Sequence, residues 1–191
     1  MSSRRIRHLN TIWLVSVACF LALLLIYPEW VSRESIAGLL DTLGGSALLV
    51  YVVLSLGRAL LLLPCTPFVL AGAISFPQWS ELVLAISLAG VVAGAFLVYS
   101  FPSFGDYDAY LEAKYPEKIA LLKEKMQGKR AFWIIAGWSI FPLVPTDVIC
   151  YVSGLIRMKF RRLVVPLLVG EVPLVTAYVY LGAEVGEWLR L

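Results

Sequence analysis

The chain has 191 residues, 60% of them apolar, a mean hydropathy of +0.84 and a formal charge of only +3. Soluble domains run at about 45–50% apolar, and a fold of this size has no interior able to hide the surplus, so a bilayer is the natural solvent and a soluble globular fold is excluded. The single histidine, His8, lies in a basic tail, and Cys19, Cys65 and Cys150 show no CxxC spacing. These features leave no histidine chemistry, zinc site or disulfide framework, and no catalytic residue, metal, cofactor or nucleic-acid partner is expected.

Residues 1–30 open with Arg4, Arg5 and Arg7, followed by an apolar run from Leu9 to Tyr27. The run ends in Tyr27-Pro28-Glu29-Trp30 without a small-x-small cleavage site, so it reads as an uncleaved anchor helix rather than a signal peptide. From Ser32 to Leu43, helical spacing puts Ile36, Leu39, Leu40 and Leu43 on one face before Gly44-Gly45, which suggests an interfacial connecting helix. The core is expected over 46–182. Its first segment, 46–78, is too long for one helix and is cut by Pro64 and Pro67. Proline removes a hydrogen bond and clashes with the preceding turn, so the segment reads as two half-helices meeting at a Pro64-Cys65-Thr66-Pro67 tip.

The run 82–100 meets the ~20-residue requirement for a spanning helix. Its Gly90 and Gly94 form a GxxxG pair, read as packing within the fold in preference to dimerisation. The linker 101–130 carries an amphipathic stretch from Pro116 to Gln127, with Ile119, Leu122 and Met126 on one side. It suits either the surface of an anionic leaflet or a solvated connection. Asp106, Asp108 and Glu112 lack a cation-loop pattern and read as a solvated acidic face. A second proline-cut segment, 131–156, contains Pro142 and Pro145, and 163–182 is a second span.

All of the 16 Lys and Arg except Arg33, Arg58 and Arg190 fall in the N-terminal tail, in 114–130, or in 157–162. If those three groups share the cytoplasmic side, one simple path results. The anchor runs outward, the first proline-cut segment enters and leaves on the outside, and 82–100 crosses inward. The second proline-cut segment enters and leaves on the inside, and 163–182 crosses outward. The expected fold is therefore an all-α integral membrane protein: an N-terminal anchor helix plus an inverted repeat of two units, each a proline-broken re-entrant hairpin followed by a transmembrane helix. The expected location is a prokaryotic plasma (inner) membrane, multi-pass with a cytoplasmic N-terminus. A homo-oligomer stays open.

Ionisable groups cost a few kcal/mol inside a bilayer, and Arg58, Asp147 and Glu171 lie in apolar segments. Arg58 either holds a lipid phosphate in a groove between the hairpins or pairs with Asp147 or Glu171. Asp147, just after Pro145-Thr146, is either the N-cap of the following half-helix or a cation or proton site. Glu171, near Pro173, either lines a hydrated groove or packs as a neutral or paired residue. Half-helices that start at the tips also aim free N–H groups at the membrane centre, where they suit an anion. Cys65 and Cys150, each within about a turn of a tip, are expected to be neighbours.

The run Gly57-Arg58 through Pro64-Cys65-Thr66-Pro67 to Gly72 resembles the first hairpin of the DedA/VTT superfamily, which includes the SNARE-associated Golgi proteins. Pro142-Leu143-Val144-Pro145-Thr146-Asp147, then Tyr151, Gly154 and Arg157-Met158-Lys159-Phe160, resembles its second hairpin and exit loop, and Gly170-Glu171-Val172-Pro173 its G-x-x-P. The likeness runs from Tyr51 to Gly182 and is greatest to the yeast Tvp-like branch. It implies two opposed re-entrant hairpins and a part in lipid scrambling or in recycling polyprenyl phosphate carriers. The partners would be membrane lipids with an anionic headgroup or a polyprenyl phosphate. The substrate path would run along Arg58, Pro64, Thr66, Pro67, Pro142, Pro145, Thr146, Asp147, Tyr151 and Glu171. Phe68 stands where bacterial DedA proteins have an acid, and Ser139-Ile140 where an arginine is frequent. Both differences point away from the proton-coupled mechanism of those proteins. The expected function is a lipid translocase, scramblase or flippase, and not an enzyme. The alternatives are proton- or ion-coupled small-solute transport through Asp147 and Glu171, and a scaffold that transports nothing.

Overall fold

The computed structural model describes residues 11–12, 15–16, 18–19, 22–23, 26–61, 63–104, 106–126, 128–141 and 146–188. The anchor expected over 1–30 falls largely outside them, and so do Pro142 and Pro145. The positions described between 11 and 26 are helical and exposed.

Helix α1 (Arg33–Thr42) starts at Ser32, whose hydroxyl accepts the Ser35 N–H at 3.1 Å, the usual way a serine satisfies a free first-turn donor. It buries Ile36, Ala37 and Leu40 against helix α3 (Thr66–Ser75). The expected apolar face is thus corrected: Leu39 is 48% exposed, and Ala37 takes its place in the core. Helix α2 (Ala47–Gly57) passes into a single 3-10 turn, Arg58–Leu61, before α3 begins. Pro67 lies in the first turn of α3, where no amide hydrogen is missed.

Helix α4 (Ser80–Ser100) follows. The linker then forms two helices, α5 (Tyr107–Lys114) and α6 (Pro116–Lys125), of which only the second is expected from the amphipathic stretch at Pro116–Gln127. Helix α7 (Gly128–Ile140), helix α8 (Thr146–Leu155) and helix α9 (Phe160–Trp188) complete the chain, α9 departing from helical geometry at Gly182. Among the described residues, two stretches, Pro77–Ser103 and Phe160–Gly182, are long and apolar enough to cross a membrane. Helices α3 and α8, at ten residues each, reach only ~15 Å and cannot.

The packing crosses between the halves of the chain. Helix α3 lies on α9, and α8 lies on α4, while α2 packs on α4 and α7 on α9. One core joins Tyr51, Leu70, Val83 and Tyr178; the other joins Val98, Ile135, Cys150 and Leu167. Cys65 packs against both, which makes it a neighbour of the cluster holding Cys150. Only 39% and 44% of the apolar windows of the two long stretches are buried, so their outer faces are left to a hydrocarbon solvent.

Close approach depends on glycine. A Cβ on Gly90 would lie 2.7 Å from the Ser55 carbonyl, and one on Gly170 would lie 2.5 Å from that of Ala136. Gly90 therefore serves contact inside the fold. A Cβ on Gly154 would strike the Tyr99 carbonyl.

The acidic linker face is also corrected. Asp106 is exposed, but Asp108 is buried and accepts Arg157 Nε at 2.6 Å, and Lys123 donates to Glu112 at 2.5 Å. Arg157 adopts a left-handed backbone (φ 56°) just past α8. Its N–H bonds the Gly154 carbonyl and that of Met158 bonds Ser153, the paired closure that usually calls for glycine. Arg157 stands there in place of glycine, and its side chain ties the linker to the end of α8 through Asp108.

Gly154→Ala should lower the melting temperature in detergent micelles, because overpacking against backbone costs about 1–3 kcal/mol. Gly137→Ala, with open space around it, should be neutral or slightly stabilising. An unchanged melting temperature for Gly154→Ala would mean that α8 and α4 do not meet this closely.

Candidate functional site

The two short helices begin beside one carboxylate. Cys65 is the N-cap of α3, and its Sγ lies 3.9 Å from Glu171 Oε2. Thr146 is the first residue of α8, and its hydroxyl faces the same carboxylate. Glu171 is only 1% exposed, in the middle of α9 and two residues before Pro173. The positive ends of α3 and α8 therefore converge on a buried acid.

Arg58 supplies the opposite charge. It opens the 3-10 turn after α2, is 7% exposed, and its Nη1 donates to the Leu63 carbonyl at 2.8 Å. The side chain thus folds over its own turn toward the start of α3. Its charge acts on both Glu171 and Asp147, but among the described residues no carboxylate is in ion-pair contact with it. Direct pairing, one of the two roles open to Arg58 from the sequence, is not what the geometry holds.

Asp147 is buried and acts electrostatically on Glu171. Its expected place as an N-cap is corrected: α8 already starts at Thr146, so Asp147 lies inside the first turn, where a negative side chain favours the helix through its dipole. Thr66 is buried at the first position of α3, Pro67 is half-buried beside it, and Pro64 is exposed on the turn. Tyr151 is not drawn into the cluster; its electrostatic neighbour is Tyr107 of α5. Pro142 and Pro145 lie outside the described residues.

Two members of the site escaped the sequence reading. Cys65 stood inside the tip motif but carried no chemistry in isolation. Tyr178 lies two turns after Glu171 on the same face of α9, and its buried hydroxyl faces Thr66 without a hydrogen bond. The seven-residue spacing from Glu171 was the available signal. Among the described residues, no three His, Cys, Asp or Glu side chains come together to hold a metal. The arrangement is suited to holding an anion or a proton: one guanidinium, two carboxylates and two helix ends in an apolar interior.

The VTT domain matches residues 63–184, more than half of the chain. The chain belongs to that family. This is the DedA/SNARE-associated Golgi family of membrane proteins, and the match singles out no branch of it. The matched span holds the starts of α3 and α8 and all of the cluster except Arg58, which lies just before it. Comparison with curated proteins and with solved structures gives no match.

If these charges sense one another, Arg58→Gln and Glu171→Gln should each destabilise the protein, and the double variant should cost less than the two together. The expected coupling is about 1–3 kcal/mol, read by unfolding in mixed micelles. Strictly additive effects would show that the two side chains are independent.

Proposed function

We propose that the chain moves lipids with phosphate-bearing headgroups across a bilayer, past the cluster of Arg58, Thr66, Thr146, Asp147 and Glu171. In this reading α3 and α8 are the inner arms of two re-entrant hairpins, one from each side, and the two units form an inverted repeat. The exchange of partners between α3–α9 and α8–α4 supports it. So do the three basic groups, which suit a cytoplasmic N-terminus.

The observation that carries the reading is Arg58. A charge is kept in an apolar interior at a cost of a few kcal/mol, yet only one of its donors goes to a described partner, the Leu63 carbonyl. A guanidinium has five N–H donors in a planar fork that fits phosphate. Glu171 then acts as a resident anion at the two helix ends. An arriving phosphate replaces it there, so the site never has to be opened to an uncompensated charge. Pro64, Pro67, Pro142 and Pro145 would set the turns that bring these helix ends together, and Tyr151 would lie toward the linker side of the path.

A second reading has its own support. Two buried carboxylates, Asp147 and Glu171, share one guanidinium, so a single proton would balance the cluster. Proton- or ion-coupled transport of a small solute could use that proton.

Purified protein in liposomes carrying a headgroup-labelled phospholipid should expose inner-leaflet label to an external reductant. Arg58→Ala should slow this about 10- to 100-fold, the worth of a charge-assisted hydrogen bond, and Arg58→Lys should fall between. Wild-type protein that exposes only outer-leaflet label, or an alanine variant as fast per folded molecule, would defeat the proposal. Proton flux without added lipid substrate, abolished by Glu171→Gln, would favour coupled transport.

A further inference from the structure

A second polar site lies well away from the cluster, at the end of the protein where the Phe160–Gly182 stretch begins. A cleft of about 1090 Å³ opens between the end of α6, the start of α7, the loop after α8 and the first turns of α9. Five cations line it: Lys123, Arg157, Lys159, Arg161 and Arg162. The linker's own acids neutralise two of them, through Glu112 with Lys123 and Asp108 with Arg157. Lys159, Arg161 and Arg162 are exposed and have no carboxylate partner among the described residues.

These three cations stand where like charge is least welcome. They flank the N-terminal end of α9, whose first turn contains no acid, and a helix N-terminus already carries partial positive charge. The remaining lining is apolar, and part of it faces outward: Trp133 is 69% exposed and Val165 is 53% exposed. Trp133 lies near the start of α7 and lines the cleft together with the first turns of α9, and tryptophan is enriched at the membrane–water interface. Free inorganic anions need only the cations. An exposed indole and valine continuous with the outer face of α9 also call for an apolar tail.

We infer that this cleft is a binding site for an anionic lipid, with its phosphate held by Lys159, Arg161 and Arg162 and an acyl chain laid along Trp133 and Val165. Each basic side chain near a membrane surface adds to the attraction for anionic lipid, and a cavity that gathers three of them converts general attraction into a site. The inference holds whether or not the chain translocates lipid, because none of these residues belongs to the Arg58–Glu171 cluster.

The test uses the full chain in zwitterionic detergent, titrated with dioctanoyl phosphatidic acid and followed by native mass spectrometry. Micelles remove any effect of these charges on orientation in a membrane. Arg161→Gln/Arg162→Gln should weaken retention at least about tenfold, with helicity and elution volume unchanged, whereas Arg161→Lys/Arg162→Lys should retain most of it. Lys114→Gln/Lys118→Gln removes two cations outside the cleft and should change little. Trp133→Ala should weaken phosphatidic acid but not inorganic phosphate. An unchanged affinity in the glutamine pair, an equal loss in the Lys114/Lys118 pair, or equally tight retention of dioctanoyl phosphatidylcholine would overturn the site. Inorganic phosphate competing as well as the lipid would overturn the lipid assignment.

Discussion

Helices α3 and α8 each begin with first-turn backbone N–H groups that the helix itself leaves unbonded; in α3, where Pro67 has none and Phe68 and Val69 donate to the Cys65 carbonyl, these are the N–H groups of Cys65 and Thr66. In water that is a minor matter; in an apolar interior each unmet donor costs several kcal/mol. Both helix starts come to α9, and a carboxylate lies beside them, next to the Cys65 thiol and the Thr146 hydroxyl. Because Glu171 lies beside both ends, α9 must touch both halves of the protein, and it packs on α3, α4, α7 and α8. Its depth is set one residue earlier. Gly170 lies against the Ala136 carbonyl and the Ser139 side chain, and any larger residue there would push α9 outward and carry Glu171 away from Cys65 and Thr146.

Arg58 follows from the same requirement. Two buried carboxylates near two helix ends leave residual negative charge, and a cation has to stand close enough to compensate it. A cation in full contact would commit its N–H donors to the carboxylates and leave fewer of them for an arriving anion. The bond from Arg58 to Leu63 holds the guanidinium at an intermediate position, near enough to act on both acids and outside ion-pair contact with either. Local geometry makes this possible: the change from α-helix to a 3-10 turn at Arg58 turns its side chain toward the chain entering α3 rather than along the outer face of α2.

How much of this was legible in the sequence depends on the range of each interaction. The spans read as 82–100 and 163–182 appear as Ser80–Ser100 and as the Phe160–Gly182 stretch of α9, because apolar length is a property of a single segment. Helix α3 starts inside its proline motif, at Thr66, and α8 starts at Thr146, the residue after Pro145, for an equally local reason. The three buried charges were visible as violations of an apolar pattern. The Asp108–Arg157 pair was not, since it joins residues 49 apart in the chain and nothing near Asp108 distinguishes it from the exposed Asp106. Leu39 was assigned to the wrong face for a related reason. Helical spacing allows both 36/37/40 and 36/39/40 as a stripe, and only the position of α3 decides between them. Tyr151 came from family likeness alone, and the packing turns it to a different neighbour.

The basic residues after α8 show where a statistical rule stops explaining a structure. The excess of Lys and Arg on one side is what orientation in a membrane requires, and cations scattered along α5 and α6 would serve that need equally well. Orientation does not require that three of them crowd the positive end of a long helix, that the linker's acids be spent on Lys123 and Arg157, or that the space between be walled by an exposed tryptophan. Each feature raises the cost of the empty cleft, through repulsion among like charges and through exposure of an apolar face beside them. A single amphipathic anion lowers all of these costs together, because its charge offsets the cations and the helix end while its tail covers the indole. A soluble anion lowers only the electrostatic part. The apolar wall, more than the number of cations, therefore ties the cleft to a lipid.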